Sequence, residues 1–219
     1  MSARKSYHEQ LEELQQEVLR MGTLVEQAIF NAVKSLKERN EELAQQIVVN
    51  DDIIDEYQIK IEDYCVKLLA LQQPMAGDLR VISTAMKIAI DLERIGDHAV
   101  DIAKVTIRLA GQPLIKPLID IPRMAEIAQR MIRESLDAYV RRDISKVDDL
   151  IDYDHEVDAL YNQIFRELLT FMIEDPRTIG QATQLLFVAR YLERVADHAT
   201  NLGEAVYYMV TGERKDLNR

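Results

Sequence analysis

Tryptophan is absent from this sequence, cysteine occurs once, and 219 residues hold only 7 glycines and 5 prolines. Sandwiches and barrels use such residues at most of their many turns, so those architectures are disfavoured. The single Cys65 forms no internal disulfide, which fits a reducing cytoplasm, and its expected place is as a small buried side chain on a helix. Long apolar runs are missing too. LLFVA at 185–189 is typical of the longest, far short of the roughly 18 residues that mark a membrane span. No amino-terminal stretch joins a basic region to an apolar one as a signal peptide does. Positive charge is scarce, with 27 Lys and Arg against 38 Asp and Glu and a formal net charge of −11. A surface that acidic repels phosphate backbones and anionic lipid, so no nucleic-acid partner is expected, whereas cations or basic protein surfaces suit it. The phosphate-loop, dinucleotide-fold, nucleophile-elbow and H-E-x-x-H motifs are all missing, and nothing around Cys65 marks a nucleophile. No residues support an enzyme.

What the chain does have is 47% apolar residues, enough for a core, and a composition rich in helix formers. It also has a repeat. LERIGDHA at 92–99 and LERVADHA at 192–199 agree at six of eight positions, 100 residues apart. Upstream the offset is 103, pairing DDIIDE (51–56) with DHEVDA (154–159), Met21 with Met124, Ile29 with Ile132, Ile54 with Val157 and Ile61 with Ile164. The three-residue difference falls where LQQPMAGDLR (71–80) faces TFMIEDPRTI (170–179). Both stretches carry proline, and insertions collect in turns.

Each copy reads as three helices. Leu11, Leu14, Val18, Met21, Val25, Ala28 and Ala32 form a heptad-like seam, which serves equally for burial inside a bundle or for contact with a second copy of the chain in a homodimer. After Asn40 a second run carries Ile47, Ile54, Ile61, Cys65 and Leu68. After the Pro74–Gly77 turn a third carries Ala85, Ala89, Leu92, Gly96, Ala99, Ala103 and Ala110. Three prolines in GQPLIKPLIDIP (111–122) end the pattern. The expected fold is all-α: two tandem, duplicated antiparallel three-helix bundles with six long helices, over residues 1–113 and 114–219.

The acids of the octet fall on the flank of the apolar stripe. Glu93, Asp97 and Asp101 form an i, i+4, i+8 ladder, and Asp51 with Asp55 stands in the same relation to the stripe of the second helix. In the second copy Glu193 and Asp197 repeat the ladder, Asn201 replaces its third acid, and Asp154 with Asp158 repeats the second-helix pair. Like charges one turn apart repel, and a bridging cation relieves that repulsion. Carboxylate-only donors suit hard ions such as Mg²⁺, Mn²⁺, Ca²⁺ or ferric iron. The plainer alternative is solvated acids paired with Arg94 and Arg194. His98 and His198 lie about 100° round the helix from the neighbouring Asp. They read as exposed polar residues or partner contacts, and the Glu-x-x-His motif of di-iron bundles fails because Gly96 and Ala196 stand in its third place.

LERIGDHAVDIA, LERVADHATNL, the LQQPMAGDLR turn and the spaced acids of the second helix closely resemble the PhoU family, over essentially the whole chain. The resemblance implies a regulatory protein of phosphate homeostasis. In phosphate plenty such a protein restrains the phosphate transporter and keeps a phosphate-sensing histidine kinase from activating the starvation response. The implied partners are the transporter's ATPase subunit and that kinase, met at the inner face of the membrane, which the protein does not span. The resemblance further implies multinuclear metal clusters, of iron or zinc or another divalent cation, on Asp51, Asp55, Glu93 and Asp97 and on Asp154, Asp158, Glu193 and Asp197. Asn201 makes the second surface poorer in charge. A carboxylate-bundle metal-storage protein or enzyme, and a metal-free helical scaffold, are the competing readings.

Overall fold

The computed structural model describes residues 2–217, with side chains from residue 7 onward. Six long helices are present: α1 (Ser2–Glu38), α3 (Asp51–Gln72), α4 (Ala76–Leu109), α5 (Asp120–Arg141), α6 (Asp149–Glu174) and α7 (Ile179–Thr211). A short helix α2 (Glu41–Val49) and a single 3₁₀ turn (Pro176–Thr178) complete the described elements. None of these helices is long and apolar enough to cross a membrane.

Helix α2 departs from the sequence expectation of one continuous second helix. The chain breaks at Asn50, whose backbone N–H closes α2 on the Gln46 carbonyl. Val48, Val49, Asn50 and Asp51 are all modest helix formers, and Asp51 and Asp52 are favoured in a first turn, where the helix dipole is positive. The break therefore places Asp51 at the start of α3. Asn40 caps α2 by accepting a hydrogen bond from the Leu43 N–H at 3.0 Å. Arg39, Gln73 and Arg142 adopt positive φ at helix ends, and Gly212 does so beyond α7, where the Tyr208 carbonyl accepts its N–H.

Helices α1, α3 and α4 form one bundle and α5, α6 and α7 the other, with α2 lying against α1 and α4. The bundles are tandem in sequence but side by side in space. The most extensive helix pair of the molecule is α4 against α7, and α1 also meets α5. One hydrophobic cluster runs through both bundles. The α1 seam is spent inside it: Leu14, Val18, Met21, Val25 and Ala32 are fully buried within the single chain.

The octet differences now have a packing explanation. At Gly96 a Cβ atom would come within 3.0 Å of Ile54 Cδ1 on α3. In the second copy Ala196 occupies the equivalent position and the smaller Val157 stands where Ile54 does in the first, both fully buried. Each bundle keeps about the same volume at this crossing by trading a methyl across the helix pair. That close approach also sets the α3 acids beside those of α4.

Candidate functional site

In the first bundle Asp51 and Asp55 come from α3 and Glu93 and Asp97 from α4. The Asp51 carboxyl lies above the ordinary carboxylate range, first because burial strips it of water and then because Asp55 and Asp97 repel its charge. Glu93 is pushed up for the same reasons, by burial, then by Asp97, and more weakly by Asp55 and Asp51. Four of the five expected acids therefore share one field. The fifth, Asp101, is turned toward His98, with its Oδ2 3.7 Å from the imidazole Nδ1. Arg94 partly neutralises the set, lying 3.4 Å from Glu93 and 3.1 Å from Asp97.

The second bundle repeats the arrangement with tighter crowding. Burial, then Asp158 and Asp197, push the Asp154 carboxyl up to about 6. Glu193 is raised by burial and then by Asp197, and Asp197 by burial with a further contribution from Asp158. Here Arg190, one turn earlier than Arg94's counterpart, bonds Glu193 Oε1. Glu193 Oε2 is buried without a hydrogen-bond partner. Arg194, expected to pair with Asp197, makes no salt bridge with it among the described residues and acts on it only through its charge.

The donor chemistry fits a hard cation: carboxylates only, crowded enough to resist ionisation, with one buried oxygen unsatisfied. The side chains as they lie do not form a closed site, since no group of three or more His, Cys, Asp or Glu among the described residues could hold one metal ion. Both sets border a cleft of about 540 Å³ between the octets, which takes Asp51, Asp97 and Asp101 from the first bundle and Asp197 from the second.

The histidines are not exposed as the sequence suggested. His98 is buried, its ring stacked 5.7 Å from that of Tyr191 and tilted against that of His198 at 5.9 Å. Burial, and then the nearby His198, lower its pKa. His198 Nδ1 lies 2.9 Å from Asp91 Oδ1, and the Asn201 side-chain amide donates to the same oxygen at 3.3 Å. Asp91 is itself buried and belongs to neither acid set. Asp91 and Tyr191 are equivalent positions, each one residue before its octet. Each therefore contacts the histidine of the other copy, as an approximate two-fold relation between α4 and α7 requires. The octet histidines therefore sit at the junction between the two bundles. No sequence signal marked Asp91, because its partners come from the opposite copy.

The family model for the PhoU domain matches residues 18–106 and 121–206, once in each bundle. The phosphate-specific transport system accessory protein PhoU homologue of Clostridium acetobutylicum is 46% identical over 216 residues, covering 98% of this chain and 99% of that protein. The corresponding homologue of Caulobacter vibrioides is 43% identical, covering 98% and 94%. The crystal structure of PhoU from Pseudomonas aeruginosa superposes with a TM-score of 0.90 at 38% identity, over 94% of this chain and 100% of that one. The phosphate transport system regulatory protein PhoU from Streptococcus pneumoniae gives 0.89 at 32% identity, over 96% and 99%.

Proposed function

The chain belongs to the PhoU family, and from that premise we propose that it is a regulatory adaptor of phosphate homeostasis and not an enzyme. It is a homologue of phosphate-specific transport accessory proteins. In phosphate plenty the adaptor restrains the transporter through its ATPase subunit and holds the phosphate-sensing histidine kinase from switching on the starvation response. We place it in the cytoplasm, peripheral to the membrane through those partners. The observation that carries this reading is the 46% identity to an accessory protein along 98% of this chain and 99% of that one.

The two acid sets are the adaptor's cation-binding surfaces. Asp51, Asp55, Glu93 and Asp97 form one, and Asp154, Asp158, Glu193 and Asp197 the other. Support comes from carboxyls that burial and mutual repulsion hold in their protonated form more than water would. A bound cation, as iron or zinc clusters in the resemblance imply, supplies the positive charge that relieves this repulsion. Leu92 and Leu192, both fully buried, fix the helices from beneath so that the acids stay on the outer flank.

The test is deletion of the gene, read by a phosphate-starvation reporter and by phosphate uptake in rich medium. A derepressed reporter restored by the wild-type gene is the expected result. Unchanged reporter activity and uptake would remove the adaptor reading. A Glu93→Gln, Asp97→Asn, Glu193→Gln, Asp197→Asn variant then separates the cation surfaces from a metal-free scaffold, which would keep its partners unaltered.

A further inference from the structure

A second cleft, away from both acid sets, has the opposite electrical character. It lies between α4 and the carboxyl-terminal end of α7, has a volume of about 420 Å³, and is lined by Ser83, Lys87, Glu204, Tyr208, Arg214 and Lys215 among others. Three cations meet there in a chain whose formal net charge is −11. The one acid, Glu204, is already engaged, since its Oε1 accepts the Leu217 N–H at 3.0 Å. Neither Lys87 nor Arg214 takes part in a salt bridge among the described residues, whereas Lys215 is paired with Asp148.

The fold holds this cleft in place. Thr84 on α4 donates to the Ala205 carbonyl of α7 at 3.3 Å, so the two helices approach closely at its floor. The tail beyond α7 is pinned because Leu217 is buried beside Gly203. That fixes the segment carrying Arg214 and Lys215. Carbonyls at the end of α7 would ordinarily disfavour an anion nearby. Two of them are occupied: the Gly212 N–H bonds that of Tyr208, and Arg80 Nε bonds that of Met209 at 3.2 Å. The Arg214 guanidinium lies 5.9 Å from the centre of the Tyr208 ring, which adds a flat aromatic surface to the cationic wall.

We infer that this cleft binds a small phosphate-bearing anion. Phosphoryl oxygens accept charge-assisted hydrogen bonds from Lys87 and Arg214, the two lining cations without a carboxylate partner among the described residues, and the Ser83 hydroxyl also lines the cleft. The volume suits a small molecule. Inorganic phosphate and a nucleoside phosphate present the same chemistry. The inference stands independently of the adaptor reading and of the acid sets.

Calorimetric titration of the full chain with inorganic phosphate, ATP and adenosine at constant ionic strength tests it. Binding of either phosphate-bearing probe is expected, with affinity lower by about tenfold or more in a Lys87→Gln, Arg214→Gln variant. Both residues are exposed, so the variant should melt with the wild type, and Lys87→Arg should retain binding. Equal affinity for phosphate and ATP identifies the phosphoryl group as the whole ligand; tighter ATP with silent adenosine identifies a nucleoside phosphate. No binding of either phosphate probe at about 1 mM, adenosine binding as tightly as ATP, or affinity unaltered in the double variant overturns the inference.

Discussion

Replacing Asp154 with Asn should stabilise the metal-free protein at neutral pH, and the size of the effect follows from the field around that carboxyl. Its pKa is raised from 3.8 to about 6 by burial and by the charges of Asp158 and Asp197. A folded-state value above the unfolded one means that the native protein binds this proton more tightly. Stability from this group is therefore present below the unfolded pKa and is lost as pH rises through the folded one. Undiminished, the gap corresponds to about 3 kcal/mol. Asp154 is only half-buried, so solvent screening reduces the expected gain for Asp154→Asn to about 1 kcal/mol at pH 7. That is a rise in Tm of roughly 2–4 °C for a chain of this length. The assay is thermal or urea unfolding with a chelator present, at pH 7.5 and near pH 4. The gain should shrink toward zero at the acid end, where the wild-type carboxyl is protonated in the folded state. Adding Mn²⁺ should then raise the wild type's Tm and leave the variant behind. Destabilisation at pH 7, or an equal gain at both pH values, would refute the reasoning, because neither arises from a charge that the fold disfavours.

Three further outcomes rest on other parts of the molecule. Gly96→Ala alone should lose about 1 kcal/mol, as crowding of Ile54 outweighs the gain in helix propensity, and Ile54→Val alone should lose about 1 kcal/mol to a small cavity. The double variant, which copies the Val157 and Ala196 pair, should recover most of both losses in urea unfolding. Additivity within about 0.5 kcal/mol would show that the two sites are independent. Asp91→Ala should cost about 1–3 kcal/mol by leaving the His198 and Asn201 donors without their acceptor; a variant as stable as wild type in the same assay would mean that water replaces the carboxylate freely. The Cys65 thiol, fully buried and pushed up to about 12 by burial, should resist a disulfide reagent at pH 8 in the native protein. It should react at once after denaturation, and prompt native reaction would show that the first bundle opens readily.

The acid sets were legible in the sequence for a simple reason. Residues four apart share a helix flank, and each pair recurs beside a recognisable apolar stripe, so Asp51, Asp55, Glu93 and Asp97 could be grouped without knowing how the helices cross. Asp101 shows the limit of that arithmetic: it continues the ladder on paper but faces His98 across one turn of its own helix. The break at Asn50 escaped because Ile47, Ile54 and Ile61 keep a seven-residue spacing through it. Periodicity reports which residues are buried and is blind to a short interruption that preserves the register.

The histidines escaped for a different reason. Rotation about one helix put His98 and His198 off the flank of the acids and toward solvent, which holds for a bundle standing alone. With α4 laid against α7, that direction points into the other copy. Duplication then accounts for both the likeness and the difference of the two contacts. Equivalent positions must meet equivalent positions across an approximate two-fold, so the residue preceding each octet meets the opposite histidine. One copy has Asp there and the other Tyr, which gives His198 a carboxylate and His98 an aromatic ring. Two carboxylates at this junction would have buried like charges within one interface, and a second tyrosine would have removed the carboxylate beside His198. The unequal pair gives His198 a carboxylate partner and packs the His98 ring against Tyr191, while His98 Nδ1 stays buried without a hydrogen-bond partner among the described residues.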